Sequence, residues 1–186
     1  MSKTALEVKR RIVNDLTAHR ITSMHSDGLY RHWRCQKPGT INLYFDVVTW
    51  PGFMCVTGDM GEWLFRRTDD MVEFMRSSCM SYGYAAEKCV AHRDELTEFC
   101  WDDMNEWLSG LEKEATEAGD SDTLGKIEEV RQAYQCYELE HDVYKAIYES
   151  GLSDDPPRCQ NFTYRFLWIL HAIKWFCEKV EQEVPA

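Results

Sequence analysis

The chain has 186 residues, of which 44% are hydrophobic and 13% aromatic, and its formal net charge is −11. This composition excludes a disordered or low-complexity chain, and the length suits one well-packed domain. The longest apolar run, FLWILHAIKWF at residues 166–176, is interrupted by His171 and Lys174. We therefore expect a buried helix there and not a membrane span.

The cysteines and the N-terminal residues bear on compartment and metal content. The cysteines follow no CxxC spacing, and residues 1–20 mix charged with apolar positions and lack the apolar core of a secretory signal. We expect a cytoplasmic protein with reduced thiols and without metal or cofactor. A zinc site assembled from distant Cys and His residues is the alternative. The eight cysteines are Cys35, Cys55, Cys79, Cys89, Cys100, Cys136, Cys159 and Cys177.

Charge is distributed unevenly along the chain. Residues 1–67 contain ten Lys/Arg and six Asp/Glu, whereas residues 68–186 contain 11 Lys/Arg and 26 Asp/Glu. The two parts thus carry net charges of +4 and −15, and they face different electrostatic partners. We expect residues 1–67 to form an N-terminal helix and a sheet, and residues 68–186 an acidic helical region packed on it as one compact unit.

The first part predicts a helix followed by an antiparallel sheet. Apolar residues at helical spacing from Thr4 indicate a helix that ends near His19 or Arg20. Alternation over residues 30–35 and β-branched or aromatic runs at 41–49, 53–57 and 62–67 predict a meander of about four strands. The sequence from Gly58 to Gly61 lacks the features of a phosphate-binding loop and predicts a hairpin turn, in which Asp59 bonds its own backbone.

The second part changes to helical spacing. Thr68 or Asp69 is the expected N-cap of a helix over residues 68–79. Further helices are expected at about 84–108, 122–149 and 160–182. The predicted fold class is therefore α+β, with an N-terminal helix, a small antiparallel β-meander and a mostly α-helical C-terminal half.

Acidic residues recur on the predicted helix 84–108. Four of them are spaced by four residues and two more lie beside them, which predicts an acidic outer stripe on an amphipathic helix. Such a stripe is either a solvated face or a partner-binding surface that enters a cationic nucleic-acid channel of another protein. The six residues are Asp94, Glu95, Glu98, Asp102, Asp103 and Glu106.

The meander offers an alternative ligand face. Basic residues beside aromatic rings on a sheet are typical of surfaces that bind nucleotides or single-stranded nucleic acid. In that role His32 or Asp46 is the acid or base, Trp50 stacks a base, and phosphate is held by Arg34, Lys37 or Arg66. The proposed face consists of His32, Arg34, Trp50, Asp59, Trp63 and Arg66. The structural interpretation is that Trp50 caps a turn, Trp33 and Trp63 pack against helices, and the arginines pair with helix acids.

Other motifs do not indicate catalysis. A single ExxH sequence, Glu138 to His141, is insufficient for a di-metal helical bundle, which needs two. No signature of an activated nucleophile is present. Cys89 and His92 are expected to be neighbours in helix packing.

One block of the sequence resembles a family of bacteriophage and prophage proteins. The resemblance covers roughly residues 30–76, less than half of the chain. It implies a phage setting and a bacterial cytoplasm as the site of action, and it implies no catalytic residue. The matching positions are Trp50, Pro51, Gly52, Gly58, Asp59, Met60, Gly61, Phe65, Asp70, Met71, Glu73 and Phe74.

Three functions are compatible with these features. The leading expectation is a non-enzymatic, phage-encoded inhibitor of a bacterial defence system, similar to an anti-CRISPR protein, which binds a nuclease or CRISPR effector through its acidic helical surface. The alternative is a small nucleotide- or nucleic-acid-binding protein or enzyme that uses the meander. A virion component, marked by symmetric self-association, is the third. No membrane partner is expected.

Overall fold

The computed structural model describes residues 3–77, 81–136 and 140–183. They divide into two compact units. The sheet unit comprises Met1–Leu96 and Phe162–Ala186, and the helical unit comprises Thr97–Asn161. The change of pattern at residue 67 therefore lies inside the sheet unit. None of the described helices combines the length and the apolarity that a membrane crossing requires.

The sheet unit contains a five-stranded antiparallel meander, and the α+β prediction is confirmed. The strands lie in sequence order and pair with their neighbours along the chain. They are β1 (Arg20–Asp27), β2 (Tyr30–Gln36), β3 (Phe45–Trp50), β4 (Phe53–Gly58) and β5 (Gly61–Arg66). The helices of this unit are α1 (Lys3–Leu16), α2 (Met71–Ser77), α3 (Tyr82–Lys88) and α7 (Tyr164–Glu183).

The meander has one strand more than the sequence predicted. Strand β1 was missed because it is an edge strand in which Ile21 is the one buried side chain, so it has no apolar alternation. Strand β1 begins at Arg20, and α1 accordingly ends at Leu16 and not near His19 or Arg20. The expected strand at 41–49 begins only at Phe45, because the preceding residues form a turn in which Ile41 is 77% exposed.

Alternate side chains of the sheet point towards the helices. Trp33, Phe45 and Trp63 are among the buried residues on this face. Their rings meet aromatic residues of α7, with Trp33 at 5.0 Å from Phe176 and Trp63 at 5.3 Å from Phe166 between ring centroids. This aromatic layer is the core of the sheet unit. We call the opposite surface of the sheet its outer face.

The prediction of one helix over residues 84–108 is wrong. Helix α3 starts after Ser81, whose hydroxyl caps it, and ends at Lys88. The next residues run beside β5, where the Val90 N–H donates to the Leu64 carbonyl at 2.7 Å. His92 then adopts a left-handed conformation with φ of 54°, which a continuous helix cannot contain. A 3-10 turn at Arg93–Glu95 and strand β6 (Thr97–Phe99) follow.

The helix predicted at 68–79 begins later than expected. Its N-cap is Asp70 and not Thr68 or Asp69, because Asp70 Oδ1 accepts hydrogen bonds from the N–H groups of Val72 and Glu73 at 2.9 and 3.2 Å. The helix described by the structure is consequently Met71–Ser77.

The described residues of the helical unit form three helices with a core of their own. They are α4 (Trp101–Ala118), α5 (Ser121–Cys136) and α6 (Glu140–Ser150). Strand β6 pairs with β7 (Gln160–Phe162) where the chain enters and leaves the unit. The helix predicted at 122–149 is thus two helices, and the one predicted at 160–182 begins at Tyr164, after β7. The core consists of Met104, Leu108, Val130, Val143, Ile147 and Cys159.

Candidate functional sites

A cluster of polar side chains on the outer face joins β2 to β3. Arg34 and Asp46 are paired across the two strands. Arg34 Nε and Nη2 donate to Asp46 Oδ1 and Oδ2 at 2.9 and 2.8 Å, and Oδ2 lies 3.1 Å from His32 Nε2. The Asp46 side chain is 11% exposed, whereas His32 and Arg34 are 34% and 42% exposed. This geometry is a bidentate ion pair with a histidine added to it.

The electrostatics of this cluster favour a fixed charge pair. Burial is the largest influence on Asp46 and raises its pKa, but the hydrogen bonds from Arg34 and His32 together outweigh it and leave the pKa below its usual value. The hydrogen bond to Asp46 in turn raises the pKa of Arg34. Asp46 is therefore ionised at neutral pH with both oxygens occupied, and it is a poor general base. Arg34 is engaged and unavailable for phosphate unless it leaves Asp46.

The tryptophans of the predicted ligand face do not share one surface. Trp63 is 1% exposed and Trp33 4% exposed, so both belong to the core, and the prediction that Trp63 contacts a ligand is wrong. Trp50 is partly exposed and stacks on Phe53 with ring centroids 5.2 Å apart. The Arg66 guanidinium lies 5.3 Å from the centre of the same Phe53 ring. Trp50 and Arg66 consequently form a small aromatic and cationic patch at one end of the sheet.

Asp59 has a structural contact. The predicted hairpin turn is confirmed, since Gly58 of β4 pairs with Gly61 of β5. Asp59 was expected to bond the backbone of its own turn. Its carboxylate instead accepts a hydrogen bond from the Leu43 N–H at 2.6 Å. It thereby ties the turn before β3 to the hairpin. Arg31, which the sequence analysis did not single out, forms an ion pair with Asp70, the N-cap of α2.

The six acidic residues of the predicted stripe are all exposed, but they do not lie on one helix. Asp94 and Glu95 belong to the 3-10 turn of the sheet unit, where Glu95 lies 3.3 Å from His92 Nδ1. Glu98 is in β6, and the remaining three, Asp102, Asp103 and Glu106, are in α4. The spacing of four residues over 94–106 is therefore not a continuous helical stripe.

The acidity of the chain is concentrated in the helical unit. Residues 97–161 contain 17 Asp/Glu and five Lys/Arg, a net charge of −12, whereas the sheet unit has 15 Asp/Glu and 16 Lys/Arg. Three of the five bases are already paired inside the unit: Lys126 with Asp122, Arg131 with Glu112, and Lys145 with Glu149. The sheet unit is thus nearly neutral, with a net charge of +1, and the helical unit accounts for the negative net charge of the chain.

Helix α4 has a group of exposed acidic residues that form no salt bridges with other described residues. Five of its acidic residues are exposed, and within the described part of the chain none of the five forms a salt bridge. From the first to the last of them the helix rises by about 22 Å. These residues, which we call the α4 acids, are Asp102, Asp103, Glu106, Glu114 and Glu117.

The helical unit also contains a cleft that the sequence analysis missed. It lies between one face of α6 and the segment that leads to β7, and it has a volume of about 330 Å³. Its signal in the sequence is the spacing of four residues between Glu140, Tyr144 and Tyr148, which places them on one helical face. The lining consists of Glu140, Tyr144, Tyr148, Asp155, Pro156, Arg158 and Gln160.

Hydrogen bonds hold both walls of this cleft in place. The Tyr144 hydroxyl donates to the Pro157 carbonyl at 2.9 Å and accepts from the Cys159 N–H at 3.0 Å. Burial raises the pKa of Tyr144, which keeps the hydroxyl protonated and able to donate. Gln160 Nε2 donates to Glu140 Oε1 at 2.9 Å and fixes that carboxylate.

Metal binding finds no support in the side chains that we can place. Among the described residues, no group of three or more His, Cys, Asp and Glu side chains is arranged to hold a metal ion. Glu138 of the ExxH sequence lies outside the described residues. No protein-family model, curated protein or solved structure matches the chain.

Proposed function

We propose that the protein is a non-enzymatic inhibitor whose helical unit binds a cationic, nucleic-acid-binding surface of another protein. The observation that carries the proposal is the net charge of −12 on residues 97–161, which form a compact unit with their own core. A dense array of fixed carboxylates produces a field that attracts cationic surfaces at long range.

Three of the α4 acids lie close together near the start of the helix. Asp102 and Glu106 are one helical repeat of four residues apart, a rise of about 6 Å, and Asp103 lies beside them. Like charges at this spacing destabilise a helix by a few tenths of a kcal/mol for each pair. The core of the helical unit offsets that cost. A row of carboxylates along a rigid helix presents to a basic channel the same kind of charge as a nucleic-acid backbone.

The class of target is the second part of the proposal. The resemblance of residues 30–76 to phage proteins supports a bacterial defence complex, such as a CRISPR effector or another nuclease, and a site of action in the bacterial cytoplasm. Such complexes hold nucleic acid in positively charged channels. The α4 acids are the proposed contact. Glu98 is a further exposed acid of the helical unit, and Asp94 and Glu95 are exposed acids of the sheet unit.

Capture from bacterial lysates tests this proposal. The tagged protein would be incubated with lysates of strains that express defence complexes, at about 50 mM and about 500 mM salt, because exposed charge pairs are screened at the higher value. We expect a nuclease to be retained at low salt, and we expect a smaller amount of it to be retained at high salt. The test variant combines Asp102→Lys, Asp103→Lys and Glu106→Lys.

The expected effect follows from the exposure of these three residues. Exposed ion pairs contribute about 0.2–1 kcal/mol each, and reversal replaces attraction by repulsion of similar size, so binding should weaken by about tenfold or more. The control is the matched variant Glu62→Lys, Asp69→Lys and Glu87→Lys, three exposed acids of the sheet unit. We call the triple lysine variant of Asp102, Asp103 and Glu106 the α4 variant. The proposal would be contradicted if the α4 variant captured as much nuclease as the wild type, or if the control variant lost as much nuclease as the α4 variant.

A second candidate is binding of a nucleotide or single-stranded nucleic acid at the outer face. The patch of Trp50, Phe53 and Arg66 favours it, because a partly exposed indole next to a guanidinium can stack a base. In this case Trp50→Ala should abolish nucleotide binding in solution while the protein stays folded. Unchanged binding in that variant would exclude the patch.

A further inference from the structure

We propose that the cleft of the helical unit is the anchor point for an arginine side chain of the protein partner. This inference rests on the proposed function, since it assumes a partner with a cationic surface, and it names the residue type that the acidic unit recognises. Interfaces commonly derive most of their affinity from a few anchors, among which arginine is enriched.

The size of the cleft suits one long side chain. Its volume of about 330 Å³ is at the lower end of the range for small-molecule sites, which begins near 300 Å³. A guanidinium with its aliphatic stem fits this space and leaves room for the peptide atoms next to it.

The charges of the cleft favour a cation that is also planar. Two carboxylates, Glu140 and Asp155, and one guanidinium, Arg158, line it. Within the described residues neither carboxylate forms a salt bridge with Arg158, so both are available to a ligand, although one oxygen of Glu140 is taken by Gln160. Carboxylates bind guanidinium groups with two parallel hydrogen bonds, which an ammonium group cannot reproduce.

The aromatic side of the cleft supports the same ligand. Tyr148 is 55% exposed and presents its ring where it lines the cleft. A guanidinium stacks on such a ring and gains a cation–π attraction. In this interpretation Tyr148 binds the ligand through its ring. This role accounts for a large aromatic residue that is exposed on α6.

Arg158 adds a preference for an arginine within a polypeptide. It is exposed and lies in the segment that Pro156 and Pro157 stiffen and the Tyr144 hydroxyl holds. As a donor, it can bind the carbonyl oxygen beside an anchored residue. The cleft should thus prefer a peptide arginine to a free guanidinium compound that has no carbonyl group.

Titration followed by amide NMR spectra of the full-length protein tests the inference without the unidentified partner. The probe is N-acetyl-arginine-N-methylamide, and the reference is the citrulline analogue, which has nearly the same shape and no charge. We expect saturable shifts of amides in residues 140–160 with a millimolar dissociation constant, about −4 kcal/mol for a single side chain. The citrulline analogue should bind at least about threefold more weakly, and so should n-butylguanidine, which has the same single charge as the probe and lacks the carbonyl group.

Variants separate the cleft from general acidity. Asp155→Asn and Tyr148→Ala should each weaken binding of the arginine probe by about threefold or more. Glu129→Gln, which changes an exposed acid of α5 outside both the cleft and the α4 acids, should leave it unchanged. Equal binding of arginine and citrulline probes, equal loss in Glu129→Gln, or no saturable shift up to about 50 mM probe would overturn the inference.

The test is independent of the lysate capture. If the probe does not bind while the α4 variant loses its captured nuclease, the cleft inference fails and the proposed function stands. If the probe binds in the cleft while the α4 variant keeps the nuclease, the acidic helix is not the contact surface.

Discussion

Replacement of Trp63 by phenylalanine separates the structural from the ligand-binding interpretation of the meander tryptophans. Trp63 is 1% exposed, packs on Phe166 and donates its indole N–H to the Met60 carbonyl at 2.9 Å across the hairpin turn. Trp50, by contrast, is partly exposed and stacks on Phe53. A core role for Trp63 predicts a loss of stability on Trp63→Phe that Trp50→Phe does not cause.

The loss can be estimated from these contacts. Phenylalanine is smaller than tryptophan by roughly 40 Å³, which at about 24 cal/mol per Å³ of residual cavity corresponds to about 1 kcal/mol. Loss of the hydrogen bond to Met60 costs about 1 kcal/mol more. The free energy of unfolding should therefore fall by about 2 kcal/mol, which corresponds to about 4–8 °C in Tm for a chain of this size.

Urea unfolding followed by far-UV circular dichroism measures this effect, because tryptophan fluorescence changes with the substitutions themselves. The slope of unfolding free energy against urea should be equal in the variants, so that the midpoints report stability. Trp50→Phe is the control and should change stability by less than about 0.5 kcal/mol. If Trp63→Phe were no less stable than Trp50→Phe, the assignment of Trp63 to the core would be refuted.

Three further predictions test the sheet unit. Asp46→Asn weakens two hydrogen bonds from Arg34 and should lower stability at pH 7 by about 1–3 kcal/mol. Since the folded-state pKa of Asp46 is depressed, its contribution is present above the unfolded pKa and is lost as pH falls below about 4, so urea curves of wild type and variant should converge there. Gly58→Ala places a Cβ 2.2 Å from the Tyr44 carbonyl oxygen and 2.8 Å from Phe45 Cα, and thermal unfolding should show a loss of at least about 2 kcal/mol. Gly83→Ala in α3, with no atom within 4 Å of the new Cβ, should instead be neutral or stabilising by up to about 1 kcal/mol; equal losses in the two variants would contradict the close approach at Gly58. Burial, together with Lys9 and Lys174, lowers the pKa of His171, whose Nε2 lies 2.9 Å from the Tyr82 hydroxyl. The contribution of neutral His171 to stability is therefore complete above the pKa of histidine in the unfolded chain, about 6.5, and is lost as pH falls below that value. Wild type should consequently lose more stability than His171→Gln between about pH 7.5 and about pH 5.5. Identical pH slopes would exclude a buried neutral His171.

The predictable part of the fold is the part in which local pattern and burial agree. Strands β2 to β5 alternate buried with less buried side chains and are joined by turns rich in glycine, so the meander could be inferred from residues 30–67. Strand β1 could not, because only Ile21 of its residues is buried. Strand β6 has three residues, too few to produce a period, and it interrupts what otherwise reads as a helix at 84–108.

The candidate sites were predictable only in part. Composition located the acidic region, but the concentration of charge in residues 97–161 depends on which helices share a core. The indoles of Trp50 and Trp63 look alike in the sequence, and only the register of the sheet buries one and leaves the other accessible. The cleft requires the segment before β7 to return to α6, and the bonds of Tyr144 that fix this arrangement have no local sequence signature.

Competition between the protein and nucleic acid for a captured nuclease tests the central claim most directly. The purified nuclease would be bound to labelled DNA, and its apparent affinity for DNA would be measured at increasing concentrations of the protein. We expect DNA and protein to exclude each other, with an apparent DNA dissociation constant that rises in proportion to the protein concentration, and with little effect of the Asp102→Lys, Asp103→Lys, Glu106→Lys variant. A ternary complex in which the DNA affinity stays constant would contradict the account.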